Sequence, residues 1–159
     1  MSLSDLASLG TFISSFAVLI SLIYLAKQIT QNTKHTRALI QQGRVSGIAG
    51  QYLAMADADL ATAWLTANGH PAAPADVRKR QFFLQCVAIQ VRQDDTFTQH
   101  QHGLLDGDQF ARSTRHMTER LRADPALRDF FRNSVIVNGP STPYRAYIQE
   151  LLSTAETPG

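Results

Sequence analysis

Leu6 to Ala26, LASLGTFISSFAVLISLIYLA, runs for 21 residues without a charged side chain. A helix rising 1.5 Å per residue would carry those residues about 31 Å, roughly the hydrocarbon thickness of a bilayer. In lipid each backbone N–H and C=O must be satisfied within the segment, which a helix does. The stretch therefore reads as one transmembrane helix. Ser8, Thr11, Ser14, Ser15 and Ser21 dilute its hydrophobicity, but short hydroxyl side chains can bond back to their own helix. A cleaved signal peptide fits less well. Met1 to Asp5 holds no Lys or Arg, the apolar run is too long, and Leu25-Ala26-Lys27-Gln28 is a poor cleavage site.

Flanking charge gives the span a direction. Its N-terminal side offers only Asp5, whereas Lys27, Lys34, Arg37 and Arg44 follow it with no acid until Asp57. The positive-inside rule then puts residues 1–5 outside and the C-terminal part in the cytoplasm. The four cations could also touch anionic lipid head groups. Gly10, Ser14, Ala17 and Ser21, spaced 4, 3 and 4, line one side of the helix. Small residues in such a stripe let another helix approach closely, whether from a partner protein or a second copy.

After the span (6–26) about 130 residues remain, enough for one small domain. A formal net charge of +2 and scattered arginines give no phosphate track and no reason to expect a nucleic-acid partner. The lone Cys86 sits in an apolar run, which suits a buried, inert thiol. No proline occurs before Pro71, so the spanning helix is expected to continue through 27–69 as a long juxtamembrane helix, weakened at Gly43, Gly47 and Gly50 and ended by Asn68-Gly69-His70-Pro71. A helical bundle over 75–154 follows, with 155–159 as a frayed tail. Its first helix, which runs to about His102 and is apolar on nearly every side from Phe82 to Val91, is expected at the bundle centre. Asp108 is expected to cap the next helix, Asp124-Pro125 and Thr142-Pro143 to start two more, and Asn138-Gly139-Pro140 to form a turn. Tyr144, Tyr147, Ile148, Leu151 and Leu152 mark the core face of the last helix. Val135-Ile136-Val137 is too short a run to argue for a strand. The fold class is all-α: an N-terminal transmembrane helix, a long juxtamembrane helix and a small cytoplasmic helical bundle.

Ser21-Leu22-Ile23-Tyr24-Leu25-Ala26-Lys27-Gln28-Ile29, followed by Gln31-Asn32-Thr33, resembles the SL-x-YLA-x-QI-x-x-NT signature of a widespread group of uncharacterised bacterial single-span membrane proteins. Phe82 to Ala88, Gly103-Leu104-Leu105-Asp106 and Tyr144-Arg145-Ala146-Tyr147 resemble its later blocks. The resemblance implies a membrane anchor with a helical domain and no established activity. In that group a glutamate stands nine residues before the glycine, where this chain has Asp94, and tryptophans are usual near Phe110 and Phe131, where it has none.

Asp94 shares a helical stripe with Val87, Gln90, Phe97 and Gln101. With Gln90 it is the candidate buried polar site, and a buried carboxylate should find a cationic partner among the later arginines. Asp95, Gln99 and His102 share another face, but the chain lacks paired metal-ligating histidines, a calcium loop, a Gly-rich phosphate loop and a nucleophile motif. No catalytic residue, metal or cofactor is expected. The leading expectation is a non-enzymatic accessory or interaction subunit of a membrane assembly. The alternatives are a small-ligand sensor or enzyme with a site around Asp94, and an anionic-lipid surface binder.

Overall fold

The structure, a computed structural model, describes residues 3–137, 139 and 142–157. All regular structure among them is helical. Helix α1 is Leu3–Met55, α2 Ala58–Ala67, α3 Pro74–Gln101, α4 Gly107–Ala123 and α5 Pro125–Phe131; a π-helical turn over Arg132–Val137 follows, and α6 is Pro143–Glu156. The chain divides into two compact units, Met1–Leu39 and Ile40–Gly159.

The first unit is helix alone. Its hydroxyls are turned inward onto their own backbone: Thr11 onto Ala7, Ser15 onto Thr11, Ser21 onto Ala17, Thr30 onto Ala26 and Thr33 onto Ile29, all at 2.8–3.0 Å. These i−4 bonds satisfy polar atoms that lipid could not. Among the described residues α1 is the one helix long and apolar enough to cross a membrane, and none of its apolar window is buried.

The expected weak point at 43–50 is absent. Helix α1 passes through Gly43, Gly47 and Gly50 unbroken and stops at Met55. With no proline to remove a donor, three glycines cost about 1 kcal/mol each but leave every hydrogen bond in place. The break falls instead at Asp57, whose carboxylate accepts from the amides of Asp59 (2.9 Å) and Leu60 (3.3 Å) and starts α2. The 27–69 segment is therefore two helices rather than one, and the second compact unit starts at Ile40 rather than at residue 75.

In the second unit α2 and α3 share a small core of Ala61, Leu65 and Val77, covered by Trp64 and Ala72. The Arg80 guanidinium lies 3.7 Å over the Trp64 ring, and His70 stacks on the same indole. Gln81 donates to the Ala56 carbonyl at 2.8 Å, which ties α3 to the end of α1.

The larger core draws on α3, α4, α5, the π-turn and α6. Helix α6 supplies its fullest stripe: Tyr144, Tyr147, Ile148, Leu151, Leu152 and Ala155 are all buried. Burial of each large aliphatic among them contributes about 1.5–3 kcal/mol. Leu121, Leu127 and Phe131 meet that stripe and are themselves sealed from solvent. Helix α3 is not the bundle centre expected from its composition. Leu84, Cys86 and Ala88 are buried, but Phe82 and Phe83 are 36 % and 46 % exposed. Phe83 meets the edge of Phe130 and lies under the Arg80 guanidinium.

Caps set the element boundaries. Pro74, Pro125 and Pro143 open their helices, and Asp124 and Thr142 accept from the amides three residues on. Gly69 and Gly103, at φ +70° and +67°, take the left-handed turn that follows α2 and α3. Helix α4 is capped by Asp106, which accepts from Gln109 N at 2.7 Å, and not by Asp108, which lies in the first turn. Either spacing suits the pattern; the turn at Gly103 decides which carboxylate is still outside the helix. Val135-Ile136-Val137 belongs to the π-turn. Of the turn expected at Asn138-Gly139-Pro140, Asn138 and Pro140 lie outside the described residues.

Asp106→Ala should lower unfolding stability by about 1 kcal/mol, and Asp108→Ala by only a few tenths. Denaturant unfolding followed by ellipticity measures both; equal losses would contradict this capping.

Candidate functional site

A cleft of about 490 Å³ opens in the second unit between the C-terminal half of α3, the π-turn with Gly139, and the start of α6. Gln90, Asp94, Phe97 and Gln101 form its α3 wall. The stripe expected from sequence is thus one face, but it faces the cleft instead of the core. Asp94 is exposed and Gln90 only partly buried. The buried polar residue of α3 is Gln93, at 7 % exposure, one position away.

Gln93 explains why the α3 wall sits where it does. Its amide donates to the Tyr147 hydroxyl at 2.8 Å, and Thr114 of α4 shares that hydroxyl at 3.1 Å. The same phenol therefore links α3, α4 and α6. Phe97 stacks on the Tyr147 ring at 5.0 Å and tilts against Tyr144 at 5.8 Å. Tyr144 donates to the Gln90 carbonyl at 3.3 Å, which holds α6 against α3 at the cleft. Burial pushes the Tyr144 and Tyr147 phenols above their ordinary range, so both stay protonated donors.

The opposite wall is the π-turn. Ser134 turns its hydroxyl back onto the Phe130 carbonyl, and Ser134 and Val135 face the cleft. Gly139 lies so close to Val135 that an added Cβ would run into the Val135 carbonyl. A side chain there would have to displace backbone, so glycine is required by contact and not by a positive φ. π-helical segments are rare and are frequently found at functional sites.

Asp94 has no hydrogen-bond or ion-pair partner among the described residues. None of the arginines of the later helices pairs with it among the described residues, and several bond elsewhere. Arg122 donates to the Thr154 carbonyl, Arg128 to those of Leu121 and Arg122, and Arg145 to that of Gly139. Arg132 pairs with Asp129 and Glu156. Partial burial against the cleft wall, helped by the neighbouring Asp95 charge, raises the Asp94 carboxyl above its ordinary pKa. Asp95 itself binds Gln99 through one oxygen at 2.7 Å, while its other oxygen is buried without a partner.

The remaining sequence-marked residues are scattered. His100 stacks on Phe110 with ring centroids 4.0 Å apart and contacts the Leu105 carbonyl, while His102 lines the cleft. No group of three His, Cys, Asp or Glu side chains converges among the described residues. Burial, then the Asp124 charge, push the Cys86 thiol up to about 11, with Arg120 opposing. Gly10, Ser14, Ala17 and Ser21 lie in line on the exposed surface of α1. Lys27, Lys34, Arg37 and Arg44 are exposed on that helix. The Gln93–Tyr147–Thr114 network and the Gly139 contact had no sequence signal beyond a glutamine inside an apolar run and an Asn-Gly-Pro that reads as a plain turn.

No family model, curated protein or solved structure matches this chain.

Tyr147→Phe strands the Gln93 amide in the core and should cost about 1–3 kcal/mol; adding Gln93→Leu should recover part of that loss in a double-mutant cycle. For Asp94 the folded protein holds the proton more tightly than the unfolded chain does. The stabilisation from that proton is complete below the ordinary carboxylate pKa and fades as pH rises through the raised folded value. Asp94→Asn should therefore match wild type in melting temperature at acid pH and exceed it slightly near neutrality. A wild type that is the more stable of the two at pH 7 would contradict the unpaired carboxylate.

Proposed function

We propose that this chain is a non-enzymatic, single-pass membrane protein whose helical second unit works in the cytoplasm as an accessory or interaction module. The observation that carries the proposal is α1. From Phe12 to Leu25 its large apolar side chains stand 50–70 % exposed. That much continuous apolar surface is unfavourable in water and is accommodated by lipid. The basic residues Lys27, Lys34, Arg37 and Arg44 on one flank support an N-out, C-in orientation in a bacterial inner membrane. The resemblance of residues 21–33 to single-span proteins points the same way. The Gly10, Ser14, Ala17 and Ser21 stripe would then be the packing face toward a partner or a second copy.

A second reading rests on a separate observation. The cleft beside Asp94, with its unpaired carboxylate and π-turn wall, favours a small-ligand module carried on the same anchor.

The full chain should resist alkaline carbonate extraction, and a C-terminal alkaline phosphatase fusion should be inactive. Replacing Lys27, Lys34 and Arg37 by glutamate should reverse that topology in part of the population. Gly10→Ile with Ser14→Leu should shift the migration of the mildly solubilised protein in native gels. Release by carbonate would overturn the anchor; unchanged migration of the double variant would overturn the packing face.

A further inference from the structure

The Asp94 cleft combines features that select one class of ligand. A carboxylate points into a concave surface without a cation. No arginine lines the cleft, and Arg145, which follows Tyr144 in α6, donates to the Gly139 carbonyl at 3.4 Å. The other ionisable groups at the cleft are His102 and the phenol of Tyr144, and Asp95 stands behind the wall next to Asp94. No lysine lines it. Anionic ligands would meet Asp94 as a like charge. A neutral ligand would leave the carboxylate as it is, without a charged partner.

The floor is aromatic. Phe97 and Tyr144 line the same cleft and lie 5.8 Å apart, so a group seated against Asp94 shares the cleft with two aromatic rings as well as with a charge. Carboxylate plus aromatic faces is the combination that attracts ammonium groups: the charge meets the anion, and the polarised C–H groups around the nitrogen meet the negative ring faces. The amides of Gln90 and Gln101 and the hydroxyl of Thr98 add hydrogen-bonding groups around them. A hard divalent cation would need several oxygen donors at close quarters, and one carboxylate does not supply them. The volume, about 490 Å³, falls in the range of pockets that hold small molecules.

We propose that this cleft binds a small organic cation, a primary or quaternary amine, with its charge against Asp94 and its carbon skeleton against Phe97 and Tyr144. The inference rests on the small-ligand reading above and is independent of the membrane anchor. Gly139 takes a defined part in it. It lines the cleft beside Val135, and its lack of a side chain lets the backbone pass close to the Val135 carbonyl.

The test uses the full chain in nanodiscs of zwitterionic lipid, so that lipid charge does not collect cations. Calorimetric titrations with putrescine and with choline are run beside glutarate and glycerol. Saturable binding of putrescine or choline is expected, at least tenfold weaker in Asp94→Asn and unchanged in Asp108→Asn. Thr98→Arg, which brings a cation of the protein's own to the cleft, should also abolish it while the melting transition is retained. Cation binding that Asp94→Asn leaves intact overturns the proposal. Saturation by glutarate or glycerol, with neither amine bound, overturns the cationic class but leaves the small-ligand reading standing. If none of the four probes saturates, both fall.

Discussion

The second unit depends on one hydroxyl group more than on any other polar atom. Tyr147 sits on the buried stripe of α6, and its phenol must be satisfied where water does not reach freely. Gln93 and Thr114 do this from α3 and α4. A hydrogen bond between neutral groups adds only about 1 kcal/mol, but leaving any of these groups unpaired in the core would cost about as much again or more. The network therefore selects one rotation of α3 about its axis. With Gln93 turned inward, the following residue, Asp94, is turned about 100° away, toward the cleft. The position of the candidate site is a consequence of how the core was satisfied.

The same constraint explains the division of labour among the aromatic residues. Phe97 lies on α3 one helical turn beyond Gln93 and packs against Tyr147, Tyr144 and Phe110. It fills the core on one side and lines the cleft on the other. The site is thus built on side chains that the fold needs for packing, on helices rather than on loose connections. Its other wall, the π-turn with Gly139, departs from regular helix. A wider turn there positions Ser134 and Val135 beside the cleft, and the close pass of Gly139 leaves no room for a side chain.

The first unit is built differently. Its hydroxyls bond back to their own helix, and its large side chains stay exposed, an arrangement stable in hydrocarbon and unfavourable in water. The two units therefore follow opposite rules: α1 hides its polar atoms inside its own backbone, while α6 hides its apolar stripe inside a bundle.

Local chemistry was legible from sequence. The uncharged stretch from Leu6 to Ala26, the proline-started helices at Pro125 and Pro143, the left-handed glycines after α2 and α3, and the core stripe of α6 each depend on residues a few positions apart. Those properties belong to the chain itself, because hydrogen bonds and sterics over one or two turns decide them. What lay beyond reach depended on neighbours distant in sequence. Composition made α3 look central, yet nothing covers Phe82 and Phe83 enough to bury them. Periodicity placed Gln90, Asp94, Phe97 and Gln101 on one face, but it could not say whether that face met the core or the cleft. That was decided by Tyr147, 54 positions from Gln93, because only the packed bundle brings a phenol to that amide. Whether Asp94 met an arginine was decided in the same way by the packed bundle, which pairs it with none among the described residues. Sequence by itself determined the helices and the long uncharged apolar stretch. The tertiary structure decided which faces became core and which became a site, since burial is a property of neighbours and not of residues.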